Sequence, residues 1–187
     1  MNPRLYLETE RLTLRVPHPD DIRPVHLGIS LSIHDLARWM PRALKGQTQK
    51  QTRDYIYTQM ALFVQDENYL FACFTKDTGM FVGMTELSPK IPRIPSYEVG
   101  YWMRSDLAGN GYATEAVSCL TAYALDKLKA KRVFLRCEPD NIGSQRVAEK
   151  CGYIKEAHLK NDALSVDNVT PVDTLVYGLT PADWNPA

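Results

Sequence analysis

Leu12, Leu14 and Val16 alternate with Thr13 and Arg15, a period of two that predicts a first strand with one buried face. Pro17, Pro19, Asp20 and Asp21 close it, and the two acidic residues suit the first turn of a helix running toward Ser30. Pro24 fits that helix only within its first turn. Thr48 followed three residues later by Gln51 has the form of a capping box, opening a helix to about Asp66 with an apolar stripe of Ile56, Met60, Phe63 and Val64. Strands are predicted at Tyr69–Thr75 and Met80–Leu87, joined by the turn Lys76-Asp77-Thr78-Gly79. The segment Ser88 to Ser96 holds Pro89, Pro92 and Pro95 and reads as a loop outside the sheet.

Tyr97–Met103 is a fourth strand, rich in aromatic and branched residues. A glycine-containing turn leads to a helix from about Tyr112 to Lys129, whose stripe is Ala113, Ala116, Val117, Leu120, Ala124 and Leu128. Val133–Glu138 is a strand, Ile142–Cys151 a helix ended by Gly152, and Tyr153–Leu159 another strand. Asp162 to Val172 reads as a loop and Thr174–Leu179 as the last strand. The pattern predicts one α/β domain over residues 1–187, with a mixed, mostly antiparallel sheet of about six or seven strands flanked by helices.

Charge narrows the function. Lys+Arg and Asp+Glu are both 22, so the formal net charge is zero, which counts against a general binder of nucleic acid. The apolar stretches, such as Tyr69 to Phe74, are too short to cross a bilayer, and Met1 to Glu8 has no apolar leader core. A cytoplasmic protein with neither membrane nor nucleic-acid partner is expected. Cys73, Cys119, Cys137 and Cys151 lie far apart, as do the four histidines, so reduced, packed cysteines and no metal are expected.

The segment from Trp102 to Ala116 carries the chemistry. A strand runs into a loop with Gly109 and Gly111, and the loop opens a helix. Glycines permit positive φ and remove Cβ, so successive N–H groups can converge on one anion beside the positive end of the helix. A plain turn would use the same glycines. Neither a P-loop nor a complete G-x-G-x-x-G is present.

Ala108-Gly109-Asn110-Gly111-Tyr112-Ala113-Thr114 resembles the pyrophosphate-binding motif of the GNAT superfamily of N-acetyltransferases, Q/R-x-x-G-x-G/A, with Ala108 where Gln or Arg is usual. Thr9-Glu10-Arg11-Leu12-Thr13-Leu14-Arg15 resembles the opening strand of the branch that contains the ribosomal-protein serine and alanine N-terminal acetyltransferases. Asn141-x-x-Ser144 with Glu149-Lys150-x-Gly152-Tyr153, and the ending Asp173-x-x-x-Tyr177-x-Leu179, resemble later elements of that branch. The resemblance spans nearly the whole chain. It implies acetyl-CoA as co-substrate, with its pyrophosphate on the amides of Ala108 to Thr114. It further implies pantetheine along the backbone of Tyr101, Trp102 and Met103, with Asn141 holding the pantetheine or the loop.

Acetyl transfer from a thioester needs a neutral amine, an anchored carbonyl and a proton source for the departing thiolate. Alternation puts Tyr97, Val99, Tyr101 and Met103 on one face of the strand, and Glu98, Gly100 and Trp102 on the other. Glu98, among aromatic and apolar residues, is the leading base, with an expected upward shift of its pKa; Glu86 is the second candidate. The resembled superfamily often places a Tyr acid seven residues after the Asn, where this chain has Ala148. Ser144 matches the alternative donor of the ribosomal-protein branch, and the helix-cap reading of Asn141 stands beside its binding role. Direct transfer is expected, without an acetyl-cysteine, because neither Cys73 nor Cys137 has a recognisable activating partner.

The acceptor expected first is a protein N-terminal α-amine. Small amines such as aminoglycosides, polyamines or amino-acid-like molecules remain open, as do a longer acyl donor and a non-catalytic acyl-CoA-binding regulatory domain. A homodimer is also left open. Arg38, Trp39 and Met40 fall where the acceptor side is expected.

Overall fold

The computed structural model describes residues 5–40, 47–91 and 93–184. Met1 to Arg4 and Pro92, used in the sequence reading, lie outside them. Eight strands form one sheet: β1 (Tyr6–Glu8), β2 (Leu12–Arg15), β3 (Tyr69–Thr75), β4 (Phe81–Pro89), β5 (Ser96–Met103), β6 (Arg132–Cys137), β7 (Ile154–Leu164) and β8 (Pro171–Leu179). The helices are α1 (Ile22–Leu36), α2 (Gln49–Val64), α3 (Tyr112–Asp126) and α4 (Ile142–Lys150). The strand order is β1-β2-β3-β4-β5-β6-β8-β7, and every neighbouring pair is antiparallel except β5 with β6. The expected mixed, mostly antiparallel sheet is present, with eight strands in place of six or seven.

Helices cover both faces. Val25 and Ile29 of α1 and Ile56 of α2 pack with Leu70, Ala72, Phe81 and Met84 on one face. On the other, Ala116, Val117, Leu120 and Ala124 of α3 and Ala148 of α4 pack with Tyr69, Phe71, Cys73 and Val99. Strand β3 is buried on both sides, which is why Tyr69 to Phe74 reads as a continuous apolar run. Among the described residues no helix is long and apolar enough to cross a membrane.

Several boundaries differ from the sequence reading, most of them by a few residues, and the departures at the sheet edges have a physical reason. Strand β1 pairs Tyr6 with Arg15 at the sheet edge, where three residues show too little pattern to detect. Strand β4 runs on through Pro89, which pairs with Tyr97; at a strand end a missing N–H costs no interior ladder bond. Strand β7 extends to Leu164 and β8 begins at Pro171, inside the expected loop. As the outermost strand, β7 is exposed along nearly all its length and shows no alternation. On α2, Val64 is 56% exposed, so its stripe is Ile56, Phe63 and the partly buried Met60.

Candidate active site

The site follows from an interrupted pairing. Strands β5 and β6 are in register only from Ser96 with Arg132 to Glu98 with Phe134. Beyond that point β5 stays paired to β4 and β6 to β8, so the two strands part and a wedge opens between them. A cleft of about 370 Å³ occupies it, with Trp39, Met40, Glu98, Tyr101, Asn141 and Ser144 among its lining residues. That volume lies within the range of small-molecule sites.

Glu98 lies on the α1–α2 face of β5. Its Oε2 accepts from Lys90 Nζ at 2.9 Å, and the carboxylate is about one-quarter exposed. The setting expected among aromatic and apolar residues thus also holds an ammonium, which the continuation of β4 brings alongside. Glu86 sits on the same face, opposite Gly100. A Cβ on Gly100 would come within 2.9 Å of Glu86 Oε1, so glycine leaves the carboxylate room to lie over β5. Glu86 accepts from Asn68 Nδ2 at 3.0 Å, and Asn68 is itself tied to Gln59 and Ser88. The second base candidate is therefore held in a side-chain network.

Ser144 enters from the opposite side, in the first turn of α4. Asn141 Oδ1 accepts from the Ser144 N–H at 3.0 Å, so the cap reading of Asn141 is realised in a residue that also lines the cleft. Tyr101 Oη donates to Ser144 Oγ at 3.1 Å. Burial pushes the Tyr101 phenol up to about 12, against a smaller opposing effect of the Ser144 hydrogen bond, so it holds its proton and acts as a donor. This contact joins a strand and a helix, and sequence reading missed it. Ala148 is wholly buried in the core cluster beneath α4, so that position does not open on the cleft. Cys137 lines the cleft, but burial pushes its thiol up to about 11, which disfavours the nucleophilic thiolate.

The glycine loop lies past the end of β5 and does not line the cleft. Gly109 and Gly111 both have φ of +82°, a region that glycine enters without strain. Gly111 is the N-cap of α3 and supplies no side-chain cap, so the first-turn amides of this helix receive none from the chain at that position. Tyr112 lies beneath the Arg11 guanidinium, 4.9 Å from its ring centroid. Trp102 packs edge-on against Phe81 and Met103 against the core, so only their backbones face along the open stretch of β5. Tyr153 is buried and shares a 2.6 Å hydrogen bond with Thr121, which makes it a core residue.

The model of the acetyltransferase (GNAT) domain family matches residues 11–154. A 93-residue stretch, 49% of the chain, is 36% identical to "Probable N-acetyltransferase YjcK" of Bacillus subtilis (strain 168) and spans about half (51%) of that relative. The ribosomal-protein-serine acetyltransferase of Escherichia coli (strain K12) is 23% identical over 81% of the chain and 84% of its own. Among solved structures, Mycobacterium smegmatis RimJ in complex with CoA-disulfide has the same fold, with a TM-score of 0.81 and 20% identity over 91% of this chain and 82% of its own.

Proposed function

The chain belongs to the GNAT acetyltransferase family and is an N-acetyltransferase of that kind, and from that premise we propose that it moves an acetyl group from acetyl-CoA directly to a protein N-terminal α-amine. The observation that carries this reading is the wedge between β5 and β6, with Glu98 on one wall and Ser144 on the other.

The loop amides from Gly109 to Ala113, with the α3 dipole behind them, receive the pyrophosphate. The backbone of Tyr101 to Met103, free of a strand partner on its β6 side, pairs with the pantetheine amides. Glu98 takes a proton from the incoming ammonium, directly or through a water. The neutral nitrogen forms its bond to the thioester carbon, and collapse of the tetrahedral intermediate breaks the carbon–sulfur bond. Ser144 then offers its hydroxyl to the developing thiolate. Tyr101 donates to Ser144 Oγ, and the Ser144 side chain also makes a hydrogen bond with Cys137 on the cleft lining, a contact the serine exchanges for the departing sulfur. The nitrogen's second proton, lost as the amide forms, neutralises the released thiolate, and Glu98 returns the first to solvent.

The amine class follows from protonation. An α-amine of pKa near 7.7–8.0 is roughly a tenth neutral at pH 7, whereas a lysine amine near 10.4 is about a thousandth neutral or less. A single carboxylate base has the easier task with an N-terminus. Trp39 and Met40 on the α1 side supply an apolar wall for a first residue. The likeness to the ribosomal-protein-serine acetyltransferase supports the same choice, and a cytoplasmic reaction is part of the same proposal. A thiol-release screen tests it, with acetyl-CoA as donor and peptides beginning with Ser or Ala set against an aminoglycoside, a polyamine and free amino acids. The peptides are expected to turn over fastest; a small amine exceeding them would transfer the assignment to the small-molecule class.

A further inference from the structure

We propose that Arg11 and Glu115 form one strap that fixes the peptide plane between Asn110 and Gly111, and so aims the loop amides at the donor's pyrophosphate; this rests on the reading of that loop as the pyrophosphate cradle. Within the loop, the Asn110 side-chain amide donates to the Leu107 carbonyl at 3.0 Å, which leaves the Asn110 carbonyl itself to be fixed from outside. Gly109 stands in open space, where an added Cβ would meet nothing within 4 Å. Ala108 supplies no polar side chain at the position where the resembled motif carries Gln or Arg.

That second hold arrives from the turn between β1 and β2. Arg11 Nη1 donates to the Asn110 carbonyl at 3.0 Å. The same guanidinium reaches Glu115 Oε2 through Nε at 2.7 Å and through Nη2 at 2.6 Å. The Arg11 N–H donates to Glu115 Oε1 at 2.9 Å, and the Thr9 hydroxyl donates to that oxygen as well. Glu115 stands in the first turn of α3, so the strap ties the loop and its helix to one guanidinium. Burial raises the Glu115 pKa, but the Thr9 and Arg11 hydrogen bonds outweigh it and hold the carboxyl below its ordinary value, so the strap is ionised at neutral pH.

Geometry converts this strap into aim. In a trans peptide the carbonyl of one residue and the N–H of the next point in opposite directions, and the described residues contain no cis peptide bond. Pinning the Asn110 oxygen toward Arg11 therefore turns the Gly111 N–H away from the β1–β2 turn. Glu115 already neutralises the guanidinium, so Arg11 contributes position and little free charge. It is a positioning residue.

The test is calorimetry of acetyl-CoA binding to the full chain, for Arg11→Lys and Glu115→Gln. Lysine keeps the charge but lacks the planar fork that spans Glu115 and Asn110 together. Each variant is expected to weaken acetyl-CoA about tenfold, as for a charge-assisted hydrogen bond thrown off line. S-acetyl-pantetheine, which lacks the pyrophosphate, is expected to keep its affinity within about twofold by NMR titration, since none of its groups meets the loop. Tighter acetyl-CoA binding by Glu115→Gln would make Arg11 a direct phosphate ligand and overturn the strap. Equal weakening of both ligands would reduce it to a fold contact, and unchanged binding would remove it. Gly111→Val runs alongside: if it leaves acetyl-CoA affinity intact, the cradle reading itself fails, whereas its effect without one from the strap variants sinks the strap alone.

Discussion

Helices α2 and α3 begin in opposite ways. At α2 the extended Thr48 accepts the Gln51 N–H on its hydroxyl at 3.2 Å, and Gln51 Oε1 accepts the Thr48 N–H at 2.7 Å. The box is closed, and side chains satisfy two of the backbone donors that helix geometry leaves over. At α3 the cap is Gly111, in a left-handed conformation and with no side chain to give. The same chain thus uses two residues to finish one helix and leaves the other without a side-chain cap. On the proposed reading, a helix start that a ligand completes is left incomplete by the protein, and its glycines serve the approach of that ligand.

The contrast predicts how substitutions divide. Groups left over from folding should cost function when removed, and groups consumed by folding should cost stability. The largest expected effect belongs to Glu98, whose partner Lys90 is 43% exposed, an ion pair of the kind worth little to stability. Glu98→Gln is expected to lower turnover roughly 10²–10⁴-fold while acetyl-CoA affinity and melting temperature stay close to the parent. Thiol release at saturating acetyl-CoA reads the first, calorimetry and a thermal melt the others. Turnover within about twofold of the parent would pass the role to Glu86 or an ordered water, although Glu86 is already engaged by Asn68.

Ser144 sharpens the division, because one residue stands on both sides of it. Its N–H is consumed by the Asn141 cap, while its hydroxyl meets Tyr101 and Cys137 at the cleft. Ser144→Ala retains the N–H and removes the hydroxyl alone, so the cap survives. Removing a donor aimed at developing charge commonly costs about 10²–10³ in rate, and thiolate, a good leaving group, places the expectation near 10². Single-turnover acetyl transfer to one fixed amine measures it. Coincident rates for parent and variant would leave Ser144 as a capping residue.

How far the chain could be read in advance depended on whether a signal was local. The capping box at Thr48, the alternation of β2 and the spacing along α3 each lie within one element, and each element appeared where its pattern put it. Edges were read less well. Strand β7 is wet on both faces, so burial imposes no alternation on it, and Pro89 marked a strand end as if it were a loop. The same rule holds at the site. Glu98 and the glycine loop are short patterns and Asn141-x-x-Ser144 came through the family resemblance, so each could be named as a candidate in advance. The Tyr101–Ser144 hydrogen bond and the Arg11–Glu115 strap join residues far apart in the chain, so only the fold reveals them.

The smallest predicted effect is the converse of the others. Thr48→Ala removes the hydroxyl that receives the Gln51 N–H, and leaves Gln51 able to accept from the residue 48 amide. Replacing a threonine cap with alanine typically costs about 1 kcal/mol, within a range of roughly 0.5–2. For a domain of this size that corresponds to a fall in melting temperature of about 2–4 °C. Acetyl-CoA affinity should not change, because the α2 start packs toward α1, where Thr52 Oγ1 lies 3.3 Å from His26 Nδ1, and contributes no group to the cleft or the glycine loop. Paired melting and calorimetry on the one variant decide the matter. A drop in affinity with no drop in melting temperature would mean that α2 reports to the site, and would break the contrast between the two helix starts. A drop in melting temperature alone would leave it standing: at α2 the donors are capped by side chains for the fold, and at α3 the cap residue supplies none.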